Sequence, residues 1–444
     1  MTARRRHTFI FGLGVTGYSC VRFLNATDRL TVVDTRSAPP FAEPTRAHYP
    51  SVELILAASD ASVFAVADRI VVSPGLTTSH CLLKAARERG VPLISDIELF
   101  ADHATAPIVG ITGTNGKSTV TALTGELLRA SGFNVGVGGN LGEAALDLLS
   151  PERDAYVLEL SSFQLERLNA GRFAIAANLN VTADHLDRYP DLASYAASKQ
   201  RVFEGCDVAV YNRADPLTTP KFAVDRLVSV GLDAPSRDGW GIIEYGGDRY
   251  LASFGERYLS VESLGIRGKH NEFNALAAMA LAKAAGGDPA ACLQALRDFK
   301  GLDHRTQTVA VIDGVTYVND SKATNLGACV AALEGLGDAR RHIVLIAGGD
   351  AKNADLSPLR EPVSKYVRHV VTLGKDAAAV EAAIAGLVPV HRVATLPDAV
   401  RTCRSIARSG DIVLLSPACA SLDMFKNFEA RGREFSAAVL ELQR

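Results

Sequence analysis

The chain has 444 residues, more than one hydrophobic core usually holds, so two or three domains are expected. The formal net charge of −2 excludes a global basic field for nucleic acid, and no apolar stretch reaches the roughly 18 residues that span a bilayer. The seven cysteines are never spaced C-x-x-C, which favours reduced thiols in the cytoplasm over a zinc site.

The first predicted block, residues 1–95, alternates strands with helices, which is typical of a parallel α/β sheet. Its opening strand, Thr8–Phe11, follows three arginines. The apolar run breaks at Gly12 and Gly14, so a strand is expected rather than a signal peptide. Two more strands are predicted in this block, Leu30–Val33 and Ile70–Val72.

A Gly-rich loop follows the first strand with the pattern G-x-G-x-x-G over Gly12–Gly17, and Asp34 closes the next strand. This pattern predicts a diphosphate at a helix amino terminus, because bare backbone N–H groups bind phosphate there. A nicotinamide dinucleotide and a UDP-sugar both carry that diphosphate, and a plain tight turn has the same spacing. The turn Ser73–Gly75 ends a strand, where open α/β sheets bind ligands, although a simple turn is an equal alternative.

The second block, residues 96–300, contains a second Gly-rich loop. A helical stretch, Asp96–His103, and a strand, Ile108–Ile111, precede the sequence G-T-N-G-K-S-T. The phosphate-loop pattern G-x-x-x-x-G-K-[ST] is met except that Ile111 replaces its first glycine. Lys117 would neutralise the β- and γ-phosphate oxygens of ATP, and the Ser118 hydroxyl would bind Mg²⁺.

Three further side chains of this block are candidates for the reaction centre. Glu159 ends an apolar strand and suits Mg²⁺, with a helix cap or a buried ion pair as the alternative. His185 lies in the segment 178–187 and would by itself more often be structural. Lys199 lies in a helical stretch, and a protonated amine cannot bind Mg²⁺, so a solvated lysine is the default there.

The third block, residues 301–444, returns to alternating strands and helices. Arg305 suits a phosphate contact, and Asp320 and Lys322 lie nearby in the sequence; each of the three would otherwise be a turn or surface residue. The predicted strands of this block are Ile343–Ile346, Val370–Leu373 and Ile412–Leu415.

The loop T-G-T-N-G-K-S-T resembles the ATP loop of the Mur ligases and of the related folylpolyglutamate synthases. Further segments resemble Mur ligase motifs in the same order along essentially the whole chain: Gly139–Asn140, 156–164, 178–187, 270–274, 319–325 and 416–429. Ser118 replaces the threonine that is commoner in the family. The resemblance implies an α/β fold of three domains: a Rossmann-like UDP-substrate-binding domain (1–95), a central P-loop-type ATP-binding domain with a parallel sheet (96–300), and a Rossmann-like amino-acid-binding domain (301–444).

The resemblance also implies the roles of individual residues. The residues implied to bind ATP are Gly113, Thr114, Asn115, Gly116, Lys117, Ser118, Thr119, Asn271, Arg305, Asp320 and Lys322. UDP-substrate binding falls to Gly14, Val15, Thr16, Asp34, Thr35, Arg36, Ser73, Pro74, Gly75, Asn140 and His185. Glutamate binding falls to Thr324, Lys352, Ser421 and Phe428, and catalysis to Lys117, Glu159, His185 and Lys199. Two Mg²⁺ ions would be held by Ser118, Glu159, His185 and Lys199, the last as a carbamate.

The implied reaction joins glutamate, with D-glutamate expected, to UDP-N-acetylmuramoyl-L-alanine through an acyl phosphate. Such an enzyme would serve peptidoglycan and cell-wall synthesis, and with it cell shape and division, as a cytoplasmic monomer without nucleic acid or membrane insertion. A nicotinamide-dependent oxidoreductase would leave the Lys117 loop unexplained. A folylpolyglutamate synthase would lack the uridine-binding domain that Asp34–Arg36 indicates. A nucleotide-sensing regulator would not need the metal and amine-acceptor residues.

Overall fold

The computed structural model describes residues 5–77, 79–168, 173–185, 188–352 and 354–443. Short apolar runs become buried strands and the amphipathic stretches between them become helices, which produces three sheets in chain order. The strand Ile343–Gly348, for example, is buried along its whole length, as expected for a strand covered on both faces.

The first sheet is entirely parallel, with the strand order β3-β2-β1-β4-β5. That order places a topological switch point between β1 and β4, where ligands bind at the carboxyl ends of the strands. The strands are β1 His7–Phe11, β2 Arg29–Val33, β3 Glu53–Ile55, β4 Arg69–Val72 and β5 Leu93–Ile94. The helices are α1 Val15–Leu24, α2 Ala42–His48, α3 Cys81–Glu88 and α4 Asp96–His103, the last leading to the second sheet.

The second sheet has nine strands in the order β14-β13-β12-β11-β10-β9-β6-β8-β7. Its strands are β6 Ile108–Thr112, β7 Val135–Gly139, β8 Ala155–Glu159, β9 Ile175–Asn178, β10 Val208–Asn212, β11 Arg226–Val230, β12 Gly239–Tyr245, β13 Asp248–Ser253 and β14 Glu256–Ser260. Its helices are α5 Lys117–Ala130, α6 Ser162–Leu165, α7 Leu192–Gln200, α8 Lys269–Ala284 and α9 Pro289–Asp298.

Three strands at one edge of this otherwise parallel sheet form two antiparallel pairs. β12 pairs with β13, and β13 with β14, in antiparallel fashion. Gly246 and Gly247 close the first hairpin with φ of 64° and 89°, the backbone that a two-residue type I′ turn requires. The antiparallel strands lie at the far edge from β7, so the parallel centre that carries the site is as predicted.

The third sheet has the order β15-β16-β20-β17-β18-β19 and is parallel except for the β15–β16 pair. Its strands are β15 Gln307–Ile312, β16 Val315–Asn319, β17 Ile343–Gly348, β18 Val367–Leu373, β19 Val390–Arg392 and β20 Ile412–Leu415. Its helices are α10 Leu326–Leu336, α11 Arg360–Tyr366, α12 Ala377–Ala383, α13 Leu396–Ile406 and α14 Phe428–Glu441.

The apolar core is shared between the first two sheets. One cluster contains Ile10 and Val21 from the first sheet region together with Phe100 of α4 and Tyr156 of β8. The rings of Phe100 and Tyr156 meet edge to face at 4.9 Å. The domain boundaries at 95/96 and 300/301 remain predictions. Helix α4, which begins at Asp96, packs into this shared core.

Two further features of the structure concern the cysteines and the helices. All seven cysteines are free, and only Cys81 is exposed. Within the described part of the chain, no helix is both long and apolar enough to cross a bilayer.

Candidate functional site

A cavity of about 590 Å³ lies between the first and second sheets. Ten of the eleven residues predicted to bind the UDP-substrate line it, from the Gly-rich loop, the Asp34–Arg36 turn, the Ser73–Gly75 turn and Asn140. His185 is the exception, because it lines a second cavity instead. Leu76 and Gln164, which are not among the predicted site residues, also line the first cavity.

The Gly-rich loop of this cavity is tightly packed. Gly17 must be glycine, because a Cβ there would lie 1.9 Å from the Gly12 carbonyl oxygen. Asp34 accepts hydrogen bonds from the Leu13 N–H (2.7 Å) and from Arg36 Nε (2.9 Å) and Nη2 (2.7 Å). Burial alone would raise the pKa of the Asp34 carboxyl, but these hydrogen bonds hold it below its ordinary value. The carboxylate that would bind a ribose in a dinucleotide site is therefore already bound to Arg36.

A second cavity of about 1130 Å³ lies between the second and third sheets. Asn140 lines both cavities, so the two sites adjoin. The predicted residues that line the second cavity are Thr114, Asn115, Gly116, Lys117, Thr119, Glu159, His185, Lys199, Asn271, Arg305, Asp320, Lys322 and Thr324. Gly113 and Ser118 are predicted ATP-site residues outside this lining.

The phosphate loop begins two residues later than the sequence pattern suggests, at Gly113. Ile111 is fully buried within β6, so the glycine missing from the pattern falls inside a strand. The loop backbone turns at Gly113 and Gly116, whose φ values are 152° and 82°. Lys117 starts α5, and its Nζ donates to the carbonyls of Gly113 (2.8 Å) and Thr114 (2.9 Å). The ammonium thus lies against the loop that would surround a phosphate.

Asn180, a residue that the predicted set omits, holds this loop from the neighbouring strand end. The Asn115 N–H donates to Asn180 Oδ1 (2.8 Å), and Asn180 Nδ2 donates back to the Asn115 carbonyl (3.0 Å). Its position in the segment 178–187, which resembles a Mur ligase motif, could have indicated Asn180 as a site residue. Leu186 and Asp187, the end of that segment, lie outside the described residues.

Glu159 is 3% exposed at the carboxyl end of β8. Asn140 Nδ2 donates to its Oε1 at 2.7 Å, whereas Oε2 has no hydrogen-bond partner among the residues that the structure describes. Burial would raise the pKa of this carboxyl, but the charge of Lys117 is the largest of the effects that lower it below its ordinary value. A buried, ionised oxygen without a partner suits a hard cation such as Mg²⁺.

Lys199 is 1% exposed, which excludes the solvated lysine that the sequence alone would suggest. Its Nζ donates to the Gly113 carbonyl at 2.8 Å, the same oxygen that accepts from Lys117. Burial, followed by the charge of Lys117, lowers the pKa of the Lys199 amine well below its ordinary value. A neutral amine is the form that reacts with CO₂, so this environment fits a carbamate.

The described residues contain no group of three or more His, Cys, Asp and Glu side chains arranged to hold a metal ion. His185, predicted as a ligand, lies with its Nε2 3.8 Å from Asp184 Oδ2, and its backbone has a φ of 55°. A cation here would take few oxygens from the unmodified chain, chiefly from Glu159 and Ser118. The donor set fits Mg²⁺, which usually keeps waters and substrate phosphates as ligands.

Arg305 and Asn325 of the third sheet region reach across to the second sheet region, and Asp320 lines the same cavity. Arg305 Nη2 donates to Ser118 Oγ at 2.7 Å. Asn325, which the predicted site set omits although it stands in the segment 319–325, donates to Asp184 Oδ2 at 3.0 Å. Asp320 accepts from Ser416 Oγ (2.8 Å), and burial raises the pKa of its carboxyl to about 7. Nucleotide would therefore be contacted from both sheets.

The chain matches three family models: "Mur ligase MurD-like, N-terminal domain" over residues 6–95, "Mur ligase middle domain" over 111–282, and "Mur ligase, glutamate ligase domain" over 304–419. A relative from Pseudomonas aeruginosa, named UDP-N-acetylmuramoylalanine–D-glutamate ligase, is 51% identical over 437 residues, 98% of this chain and 97% of the relative. A relative of the same name from Pseudomonas fluorescens is 49% identical over 436 residues, with the same shares of both chains. The chain belongs to the Mur ligase family.

Solved Mur ligase structures have the same fold. The UDP-N-acetylmuramate–alanine ligase MurC of Thermotoga maritima matches with a TM-score of 0.61 at 18% identity, over 99% of this chain and all of that one. The MurF ligase of the same organism, solved with ADP, matches with a TM-score of 0.59 at 15% identity, over 100% and 97% of the two chains. The predicted α/β fold class of a Mur ligase is therefore confirmed.

The residues predicted to bind glutamate are only partly brought together in this Mur ligase. Thr324 lines the second cavity, whereas Lys352, Ser421 and Phe428 lie outside its lining. Paired hydrogen bonds between Asp350 and Ala420 join the loops that carry Lys352 and Ser421. Phe428 begins α14, and its ring lies 3.9 Å below Lys322 Nζ. These contacts place all three on the third-sheet side of the cavity.

Proposed function

We propose that this Mur ligase joins D-glutamate to UDP-N-acetylmuramoyl-L-alanine with conversion of ATP to ADP and phosphate. Curated relatives of that name share about half of their residues with the chain over nearly the full length. The observation that carries the proposal is the convergence of Lys117, Glu159 and Arg305 on one cavity that adjoins the UDP-substrate cavity at Asn140.

The reaction proceeds in two steps. The terminal carboxylate of the UDP-substrate attacks the γ-phosphorus of ATP, which forms an acyl phosphate and releases ADP. The glutamate amine then attacks the acyl carbon; the amide bond forms, phosphate leaves, and the amine loses its proton. The protein's part is to align the reactants and to neutralise negative charge. Lys117 and the backbone N–H groups of the loop would bind the β- and γ-phosphates. Arg305 would contact the phosphates from the third-sheet side of the cavity.

Ser118, Glu159, His185 and a carbamate on Lys199 would hold Mg²⁺, with two ions as the expected number. Bound Mg²⁺ supplies positive charge to the phosphate oxygens and the acyl phosphate. The Lys199 amine in its neutral form, which burial favours, attacks CO₂ and loses a proton to become an anionic carbamate. The nearby ammonium of Lys117 stabilises that new charge.

The two substrates would enter from opposite sides. The UDP end occupies the first cavity, and its sugar peptide passes Asn140 toward the reaction centre. Thr324, Lys352, Ser421 and Phe428 would receive glutamate on the third-sheet side. The charge of Lys352 suits the side-chain carboxylate of a diacid. Asn271 and Asp320 line the cavity where the nucleoside of ATP would lie. We further propose that the enzyme acts in the cytoplasm as a monomer.

A phosphate-release assay tests the function. The purified chain is supplied with ATP, Mg²⁺ and UDP-N-acetylmuramoyl-L-alanine, together with a panel of D- and L-amino acids. Phosphate release that requires both the UDP-substrate and D-glutamate is expected. Release with a folate and L-glutamate instead would favour a folylpolyglutamate synthase, and NAD(H) binding without phosphate release would favour an oxidoreductase.

A further inference from the structure

Two arginines at the interface of the first two sheets have no part in the reaction described above. Arg167 follows α6 and its side chain is 4% exposed; the side chain of Arg188 is 13% exposed. Both extend from the second-sheet region toward the turn 73–76, which follows β4 and lines the first cavity. We call this segment, Ser73 to Leu76, the substrate turn.

The guanidinium groups bind the carbonyl oxygens of the substrate turn and of the residue before it. Arg167 Nη1 donates to the carbonyls of Val72 (3.2 Å) and Ser73, and Arg167 Nη2 donates to that of Pro74 (3.3 Å). Arg188 Nη1 donates to the Pro74 carbonyl (3.2 Å), and Arg188 Nη2 donates to the Leu76 carbonyl (3.3 Å). The second-sheet region thus holds the substrate turn through its backbone.

Arg188 is itself fixed from two sides. Its Nη2 donates to Glu166 Oε1, and the Tyr189 hydroxyl donates to the other oxygen of that carboxylate at 3.0 Å. The guanidinium carbon lies 3.9 Å from the centre of the Phe163 ring, a cation–π contact. The Phe163 ring in turn meets the ring of His185 edge to face at 4.8 Å. A continuous set of contacts therefore joins the substrate turn to the second cavity.

A buried guanidinium is a poor source of stability by itself. Burial lowers the pKa of Arg167 to about 10, and well-packed apolar side chains can often replace a whole buried ion pair without loss of stability. A planar guanidinium instead offers several donors in a fixed arrangement, which suits the positioning of backbone carbonyls. This contrast points to a geometric role.

We propose that Arg167 and Arg188 are positioning residues that fix the substrate turn against the second-sheet region. Through the turn, both set the affinity for the UDP end of the substrate. Through Phe163, Arg188 also sets the position of His185 at the reaction centre. The inference rests on the proposed function, because it takes the first cavity as the site of the UDP-substrate.

The test compares Arg167→Met and Arg188→Met with a control, Arg22→Met. Arg22 forms an ion pair with Asp147 that also joins the first two sheet regions, but neither residue lines the first cavity. We expect Arg167→Met to raise the KM for the UDP-substrate about tenfold to hundredfold at nearly unchanged kcat and KM for ATP. Arg188→Met should raise the same KM and also lower kcat. The control variant Arg22→Met should leave kcat and both KM values unchanged.

Calorimetry with UDP as the probe separates this inference from the proposed function. UDP should bind the wild-type chain and the control alike and the two variants more weakly, whether or not phosphate is released. Arg167→Lys keeps the charge but loses the planar set of donors, so it should weaken UDP binding by less than Arg167→Met does. It replaces Arg167→Met in the test if that variant does not fold. Unchanged UDP affinity in a folded variant, or an equal loss in the control, would overturn the proposal.

Discussion

Replacement of Lys199 by methionine removes the amine while it keeps the length and apolar stem of a side chain that is 1% exposed. The change leaves no carbonyl without a donor, because Lys117 Nζ still donates to the Gly113 oxygen at 2.8 Å. Loss of one neutral hydrogen bond costs about 1 kcal/mol, and the burial of a polar amine is relieved at the same time. The free energy of unfolding should therefore change by no more than about 1 kcal/mol.

Catalysis should respond far more strongly than stability. If the lysine carries a carbamate, methionine removes an anionic oxygen from the Mg²⁺ site, and one such electrostatic contact is worth on the order of 10²–10³ in kcat. The assay is phosphate release with UDP-N-acetylmuramoyl-L-alanine, D-glutamate and ATP, alongside a urea unfolding curve. Lys84→Met serves as the control, because this lysine is 75% exposed on α3.

The carbamate itself has two further signatures. Wild-type activity should fall in CO₂-free buffer and return with bicarbonate, and labelled ¹³C-bicarbonate should give a carbamate resonance that Lys199→Met lacks. Formate or acetate should partly restore the methionine variant by supplying a carboxylate oxygen. Full wild-type activity without CO₂, or a folded variant with near-normal kcat, would show that the amine is not modified and would refute the reasoning.

Three other predictions concern separate parts of the molecule. Lys117→Ala should lower kcat by about 10²–10³, because the developing phosphoryl charge loses its nearest cation; near-normal turnover in a folded variant would refute the ATP-loop assignment. Arg36→Ala should raise the KM for the UDP-substrate and leave that for ATP unchanged, and a large loss of ATP affinity would place the uridine site elsewhere. Asp96 is buried, which raises its pKa from 3.8 to about 6. Between pH 3.8 and about pH 6 the Asp96 carboxyl is therefore protonated in the folded chain and ionised in the unfolded chain. The free energy of unfolding consequently falls as the pH rises through this range. Asp96→Asn should thus stabilise the fold by up to about 3 kcal/mol at pH 8 and not at pH 4 in urea unfolding, and an equal gain at both pH values would contradict this.

Local sequence determined the elements that depend on local backbone chemistry. The predicted strand Thr8–Phe11 lies within β1, and the predicted strand Ile412–Leu415 matches β20. Both were predictable because a buried parallel strand needs a continuous apolar run. The helix Asp96–His103 was also placed correctly; its Ser95 cap accepts from the Glu98 N–H at 3.0 Å. The Gly246–Gly247 turn carried the signal of a hairpin, but it was not used to predict one.

The glycine-rich loops could also be predicted from the sequence, because their function depends on the backbone conformation of consecutive residues. The loops at Gly12 and Gly113 each lie beside a cavity. Family resemblance then indicated which ligand suits each loop, a distinction that the pattern G-x-G-x-x-G does not make by itself.

The electrostatic state of the site was decided by the tertiary structure. The pKa of the Lys199 amine is lowered because the chain folds back over a sequence separation of 86 to bury the amine on the Gly113 carbonyl beside Lys117. The contact between Arg305 and Ser118 spans 187 residues, and that between Arg167 and the Ser73 carbonyl spans 94. Burial and charge act through space, so a pKa or a long-range hydrogen bond follows only once distant segments are packed together.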